Sequence, residues 1–275
     1  MRFVVGVFRL IWVGLLVCFV LFAVLVLFRF ISSSTKGRMI RRVAAWLPMA
    51  FGIRVRVKGH VPDEGSRCTG ISSRGKGYLI CANHISFADI FVLDSVLPSR
   101  FVAKAEIARW PLFGAITTGV DTIYIDRGNR RAIVLVAEAM SAALEAGRNV
   151  LFFPEGTTGP GDRLLPFHPN LFSSACSCGA EVLPVSLRYT LRGETTTLTS
   201  YAHESLVRVL RRIVFTPGLG VEVSIGEPVA TEGRDRREVC ADAARFVAQS
   251  MGMPDATAER AEEIRRMRAE HQREA

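Results

Sequence analysis

The chain has 275 residues, 49% of them hydrophobic, with 35 Lys and Arg against 26 Asp and Glu and a formal net charge of +9. That length supports one sizeable core plus additional elements, and the composition excludes disordered, collagenous, low-complexity and coiled-coil chains. Residues 1–60 hold ten of the bases and none of the acids, which leaves 25 bases against 26 acids in the rest; basicity confined to one end points to a membrane surface rather than to nucleic acid.

Residues 10–28 (LIWVGLLVCFVLFAVLVLF) run for nineteen positions without a charge, and as a helix they reach roughly 28 Å, enough to cross a bilayer core. Arg2 and Arg9 precede the run, while Arg29, Lys36, Arg38, Arg41 and Arg42 crowd its C-terminal side. The positive-inside rule then places the bulk of the chain on the cytoplasmic face of the inner membrane. Three readings stay open: a spanning helix, a shallow hairpin or interfacial helix in one leaflet, and a cleaved signal peptide. The last is disfavoured because the run is long and no small-x-small site follows. Residues 38–51 mix bases with apolar positions and suit a helix on an anionic leaflet with Trp46 at the interface, ended by Gly52. Residues 1–50 therefore read as a membrane anchor with a basic juxtamembrane helix.

Residues 53–58 (IRVRVK) alternate with period two and predict a strand, followed by a turn-rich stretch over 61–77. Short apolar runs at 78–82, 101–103, 122–125, 149–153, 182–187 and 221–225 predict further strands. Helical patterns fall at 89–97, 130–146 and 236–251. The second of these helices carries Ile133, Val134, Val136, Ala137, Met140 and Leu144 on an apolar face, and Gly147 stops it. This alternation predicts an α/β domain over 51–250, a mixed, partly parallel sheet flanked by helices. Residues 255–275 hold six acids and five arginines with little apolar stripe, so 251–275 reads as a solvated helix or tail. Six cysteines, Cys18, Cys68, Cys81, Cys176, Cys178 and Cys240, are scattered rather than paired. They read as small buried thiols; only Cys176 and Cys178 are neighbours, without a second pair to complete a zinc site.

Gly70, Gly75 and Lys76 match the spacing of a phosphate-binding loop. However, Gly77 stands where Ser or Thr would hold Mg²⁺, and a strand follows instead of a helix, so a polar loop is the better reading. The chain has no G-x-S-x-G and no H-E-x-x-H. Asn83-His84-Ile-Ser-Phe-Ala-Asp89 lies where the 78–82 strand gives way to a helix, the position at which α/β proteins keep active sites. An aspartate in the first helical turn can reach back to one imidazole nitrogen and leave the other as a base. In isolation a structural histidine is the commoner explanation of such a pair. Three further strand exits accompany it: Phe153-Pro-Glu155-Gly156-Thr157-Thr158-Gly159, which offers an acid and free backbone amides; Ile123-Tyr-Ile-Asp126-Arg127, which offers a cation; and Val182-Leu-Pro184-Val185, whose proline suits an edge or a pocket.

In this order and spacing the four blocks resemble the lysophospholipid acyltransferase family, the group that includes 1-acylglycerol-3-phosphate acyltransferases, over roughly residues 54–227. The resemblance implies a glycerolipid acyltransferase-like fold and a His84/Asp89 dyad, within the motif opened by Asn83, that deprotonates an acceptor hydroxyl. It also implies that the Asp126-Arg127 and Glu155-Gly156-Thr157 blocks bind the polar head of the acceptor. Phe101-Val-Ala-Lys104-Ala-Glu106 and Trp110-Pro111-Leu-Phe-Gly114 are similar to family sequence as well.

Two departures concern the acceptor. Thr158 stands where the glycerophosphate enzymes usually carry a cation, and His168 replaces the usual lysine, so a fork-shaped phosphate donor is missing. The run over 155–172 is instead similar to the branch that acylates lyso-ornithine lipid. Lys104, Arg127 and Arg163 are the remaining cations. The implied reaction moves a fatty acyl group from acyl-CoA or acyl-carrier protein to the hydroxyl of a lysophospholipid, first of all 1-acylglycerol-3-phosphate to give phosphatidic acid, with lyso-ornithine lipid as the alternative. It requires no metal and no redox cofactor, and its partners are the two substrates and membrane lipid, not nucleic acid. A membrane-anchored hydrolase with water as acceptor, or a non-catalytic lipid-binding protein, remains as a more distant reading.

Overall fold

The computed structural model describes residues 2–60, 75–111, 113–126, 130–202 and 204–274. Arg127, Cys68 and residues 61–74, with most of the turn-rich stretch and of the Gly70–Lys76 loop, lie outside the described residues. Among the described residues the strands are β1 (Arg54–Lys58), β2 (Leu79–Ala82), β3 (Arg100–Lys104), β4 (Ile123–Ile125), β5 (Val150–Phe152), β6 (Val182–Leu191), β7 (Glu194–Thr195) and β8 (Leu219–Ile225). They form one sheet in the order β1-β8-β6-β2-β5-β3-β4, with β7 beside the end of β6. Strands β6, β2, β5, β3 and β4 are mutually parallel, while β8 runs antiparallel to β6 and pairs in parallel with β1. The sheet is mixed, with five strands delivering their carboxyl ends to one edge.

Every residue of β2 and β5 is buried, as it must be for parallel strands covered on both faces, and this is why their apolar runs are continuous rather than alternating. The covering helices include α3 (Ala88–Val96), α4 (Phe113–Gly119), α5 (Arg130–Glu145), α6 (Ser173–Cys178), α7 (Leu206–Phe215) and α8 (Arg236–Met251). Helix α5 buries Val136, Met140, Ala143 and Leu144, a stripe at helical spacing. Val134, assigned to that stripe above, points outward and is exposed, since it lies two residues before Val136 and so on the far side of the turn. Pro184 lies in β6, an interior strand and not an edge. It is tolerated because regular pairing with β8 begins only at Val185, and the start of β6 is joined on that side only by the isolated bridge from Val182 to Val229, which follows β8, so that a ladder donor is dispensable there. Among the described residues the cysteines are free thiols. The charged C-terminal segment forms a helix, α9 (Ala256–Glu274).

Helices α1 (Arg2–Leu25) and α2 (Ser33–Phe51) are joined through a short 3-10 turn at Leu27–Arg29. Residues Phe3–Arg29 are long and apolar enough to cross a membrane, and only 17% of their most apolar stretch is buried, unlike the core helix of a soluble domain. Helix α1 nevertheless packs on the sheet domain at both ends. Near its start, Phe3 stacks obliquely on Phe215 with ring centroids 5.9 Å apart, and the Arg9 guanidinium donates to the Val214 carbonyl at 3.0 Å. Near its end, Val24 presses against Gly119 so closely that a Cβ there would lie 2.4 Å from a Val24 methyl. Val13 and Leu16 of α1 and Val43 and Leu47 of α2 join the same hydrophobic core as the sheet.

Candidate active site

The catalytic edge is built by backbone clamps before any titratable group takes part. Asn83, directly after β2, donates its side-chain amide to the Leu187 carbonyl at 3.0 Å and accepts the Leu187 N–H at 2.8 Å, and it is 1% exposed. Both of its polar groups are thus committed to β6. Asn83 therefore positions the loop that follows: at 1% exposure its amide is turned into the sheet toward β6 and away from solvent. The loop closes through Gly159 N–H to the His84 carbonyl at 2.7 Å and Tyr201 N–H to the Ile85 carbonyl at 3.0 Å.

His84 and Asp89 meet across this turn. Asp89 is fully buried in the first turn of α3, and its Oδ2 accepts from the Ile85 N–H at 2.7 Å and the Ser86 N–H at 2.9 Å, and faces His84 Nδ1 at 2.9 Å. Its other oxygen, Oδ1, accepts the hydroxyl of Tyr189 on β6 at 2.7 Å. Four donors saturate an ionised carboxylate and make its burial tolerable. With the carboxylate accepting, His84 carries its proton on Nδ1, and Nε2 keeps the lone pair needed of a base. The imidazole lies flat on Phe153, with centroids 3.9 Å apart and planes 12° from parallel, and 18% of the side chain is open to solvent. Stacking fixes the ring plane while the carboxylate fixes its rotation.

Tyr189 has no counterpart in the sequence reading. It sits 100 residues from Asp89 along the chain and is buried; period two assigns its side chain to one face of β6, but not to a particular carboxylate. Burial and the neighbouring Asp89 charge hold its phenol well above the usual tyrosine range, so it remains a donor. Replacing it, Tyr189→Phe, leaves Oδ1 without a partner. We expect kcat to fall about tenfold with KM nearly unchanged; an unchanged kcat with only a lowered Tm would reduce Tyr189 to a structural role.

The loop after β5 holds the remaining residues. Gly156 adopts φ +73°, a left-handed turn that a side chain would strain. Thr157 is exposed and Thr158 half-buried on the outside of this loop, whereas Glu155 is 5% exposed beneath it. The Glu155 carboxyl accepts the backbone N–H groups of His84 and Leu165, tying the two loops together. Its Oε2 is buried against Gly159 without a hydrogen-bond partner. Desolvation pushes the Glu155 carboxyl up to about 8, helped by the charge of Asp89 and opposed by those two N–H groups. Lys104, at the carboxyl end of β3, is half exposed and paired with Glu106 at 2.8 Å. Asp126 follows β4 at the same edge. Arg127 lies outside the described residues.

An acyltransferase family model matches residues 53–188, the segment that carries all four strand exits. The chain is 37% identical over 227 residues to the 1-acyl-sn-glycerol-3-phosphate acyltransferase of Neisseria meningitidis serogroup B, covering 74% of this chain and 89% of that one. It is 32% identical over 213 residues to the lyso-ornithine lipid O-acyltransferase of Pseudomonas aeruginosa, covering 77% and 78%. The crystal structure of the 1-acyl-sn-glycerophosphate acyltransferase of Thermotoga maritima superposes with a TM-score of 0.66 at 21% identity, over 92% of this chain and 97% of that one, a likeness of fold. Identity sustained over nearly nine tenths of a relative's length, in a chain whose motif-bearing strands match the family model, makes this protein a member of the lysophospholipid acyltransferase family.

Proposed function

We propose that the protein transfers a fatty acyl group from a soluble thioester, acyl-CoA or acyl-carrier protein, to the free hydroxyl of a lysophospholipid, with 1-acylglycerol-3-phosphate as the first acceptor and phosphatidic acid as product. The observation that carries this reading is the His84 ring, held at Nδ1 by a saturated Asp89 and open at Nε2. The acceptor oxygen gives its proton to Nε2 as it attacks the thioester carbonyl. The tetrahedral intermediate then collapses with loss of the thiolate, which takes the proton back from the imidazolium. This is direct transfer between the two substrates, without an acyl-enzyme. Gly156, Thr157 and Thr158 offer backbone and hydroxyl donors to the head group, Lys104 supplies positive charge at the same edge, and Arg127, next to Asp126 in sequence, is a further candidate cation.

The catalytic edge works against lipid on this reading. With both ends of α1 packed on the sheet domain, the α1–α2 pair suits insertion as a hairpin into one leaflet better than a helix crossing away from the domain. The bases beside it hold the domain on the anionic cytoplasmic face at about 1 kcal/mol per residue near the surface. A second acceptor has its own support: Thr158 removes the cation expected beside a phosphate monoester, and a lyso-ornithine lipid O-acyltransferase is among the similar proteins.

Purified protein in vesicles, given labelled acyl donor with lysophosphatidate and lyso-ornithine lipid side by side, tests both readings. The expected result is labelled phosphatidic acid. Product from lyso-ornithine lipid alone would reassign the acceptor, and free fatty acid without either product would indicate hydrolysis.

A further inference from the structure

Helix α7 carries apolar and basic residues beyond what the core requires. Val209, Ile213 and Val214 bury one face, and Ser205 caps the start by accepting the Arg208 N–H. The outward face is not simply polar: Val207 is 73% exposed and stands beside Arg208 and Arg211. Arg212 is paired with Glu204 at 2.7 Å, but among the described residues neither Arg208 nor Arg211 meets a carboxylate. Between α7 and the N-terminal half of α1 runs an open, almost wholly apolar groove of about 510 Å³, lined by Phe3, Leu10, Val207, Leu210, Arg211 and Phe215. Its volume lies within the roughly 300–1,000 Å³ of small-molecule sites.

An apolar trough with cations at its rim matches one chemistry, an acyl chain ending in an anionic head group. The trough is continuous with the exposed apolar surface of α1, since Phe3 forms its wall and is itself 72% exposed. We infer that α7 is a second membrane-contact element and that the α1–α7 groove seats one acyl chain of an anionic leaflet phospholipid, with Arg208 and Arg211 at its phosphate. This rests on the membrane reading above and extends it from the N-terminal hairpin to the catalytic domain.

The groove is wired to the active site. Arg212 on α7 donates to the Ser200 carbonyl at 3.2 Å, the Ser200 hydroxyl to the Gly159 carbonyl at 3.1 Å, and the Gly159 N–H to the His84 carbonyl at 2.7 Å. A lipid seated on α7 thus touches the helix that braces the catalytic loops, and sets the height of the active-site mouth above the leaflet.

The test places an environment-sensitive fluorophore on full-length protein at Val207→Cys or, separately, at Ile11→Cys on the exposed side of α1, with Cys18, Cys68 and Cys176 changed to Ser. Vesicles are pure phosphatidylcholine or include phosphatidylglycerol, with brominated acyl chains as quencher. The expected result is a blue shift and bromolipid quenching at position 207, several-fold stronger with phosphatidylglycerol, and loss of that preference in the Arg208→Gln/Arg211→Gln double variant. Quenching at 11 with none at 207 would overturn the α7 proposal while leaving the membrane reading intact. Quenching at neither would overturn the membrane reading itself. Equal quenching at 207 by neutral and anionic vesicles would overturn the assignment of the two arginines to an anionic head group.

Discussion

Replacing His84 with alanine is expected to lower acyl transfer by about 10³–10⁴ while leaving a folded protein. The rate falls because the acids beside it are buried and hold backbone donors, Asp89 those of Ile85 and Ser86 and Glu155 those of His84 and Leu165, so neither takes over as base. The fold persists because Asp89 keeps its bonds from Ile85, Ser86 and Tyr189, and because the lost stack on Phe153 involves a ring that is already partly solvent-exposed. The cost in stability is of the order of 1 kcal/mol, that of one aromatic pair. Turnover with labelled donor, with circular dichroism on the same preparation, checks both halves. A folded His84→Ala enzyme with near wild-type turnover would remove the dyad from the mechanism.

Glu155 predicts an effect on stability rather than on rate. Its carboxyl titrates near 8 in the folded protein against an ordinary value of 4.5, so between these values the folded state binds the proton that the unfolded chain has already released. Stability falls with rising pH wherever the folded state binds more protons. The loss begins above pH 4.5 and is complete a little above 8, and amounts to roughly 5 kcal/mol. Glu155→Gln keeps an oxygen for the N–H groups of His84 and Leu165 and cannot ionise. The variant should match the wild type near pH 5 and exceed it by several kcal/mol near pH 9, read from denaturant midpoints in the same detergent. Comparing the two proteins cancels other groups that titrate in this window, such as Asp94, which burial raises to about 7. Parallel pH profiles for the two proteins would show that Glu155 is ionised throughout.

The same residue separates what sequence and structure each contribute. A Glu in a Gly-rich strand exit reads as a ligand for a head group, but its carboxyl faces the backbone of its own loops, with Thr157 and Thr158 on the outside. Sequence spacing places a residue at a strand end and is silent on which way its side chain turns. Asn83 repeats the lesson: its motif position is right beside the catalytic histidine, yet its amide is spent on β6.

Local pattern by itself determined much of the protein. Continuous apolar runs marked the buried parallel strands β2 and β5, helical spacing marked α5 and α8, and an uncharged run marked the apolar N-terminal helix. The five-residue step from His84 to Asp89 lies within one turn, so it too was legible. What tertiary structure alone decided involves partners distant in sequence: Tyr189 on Asp89 across 100 residues, Arg9 on the Val214 carbonyl of α7 across 205, and the groove that α7 shares with α1. Helix α7 was legible as well, since Leu206, Val209, Leu210, Ile213 and Val214 stand at helical spacing within its ten residues; what that pattern leaves undecided is that α1 lies against its other side. Periodicity records which face of an element is buried; the partner that buries it is chosen by packing over the whole chain, and that choice completed the dyad.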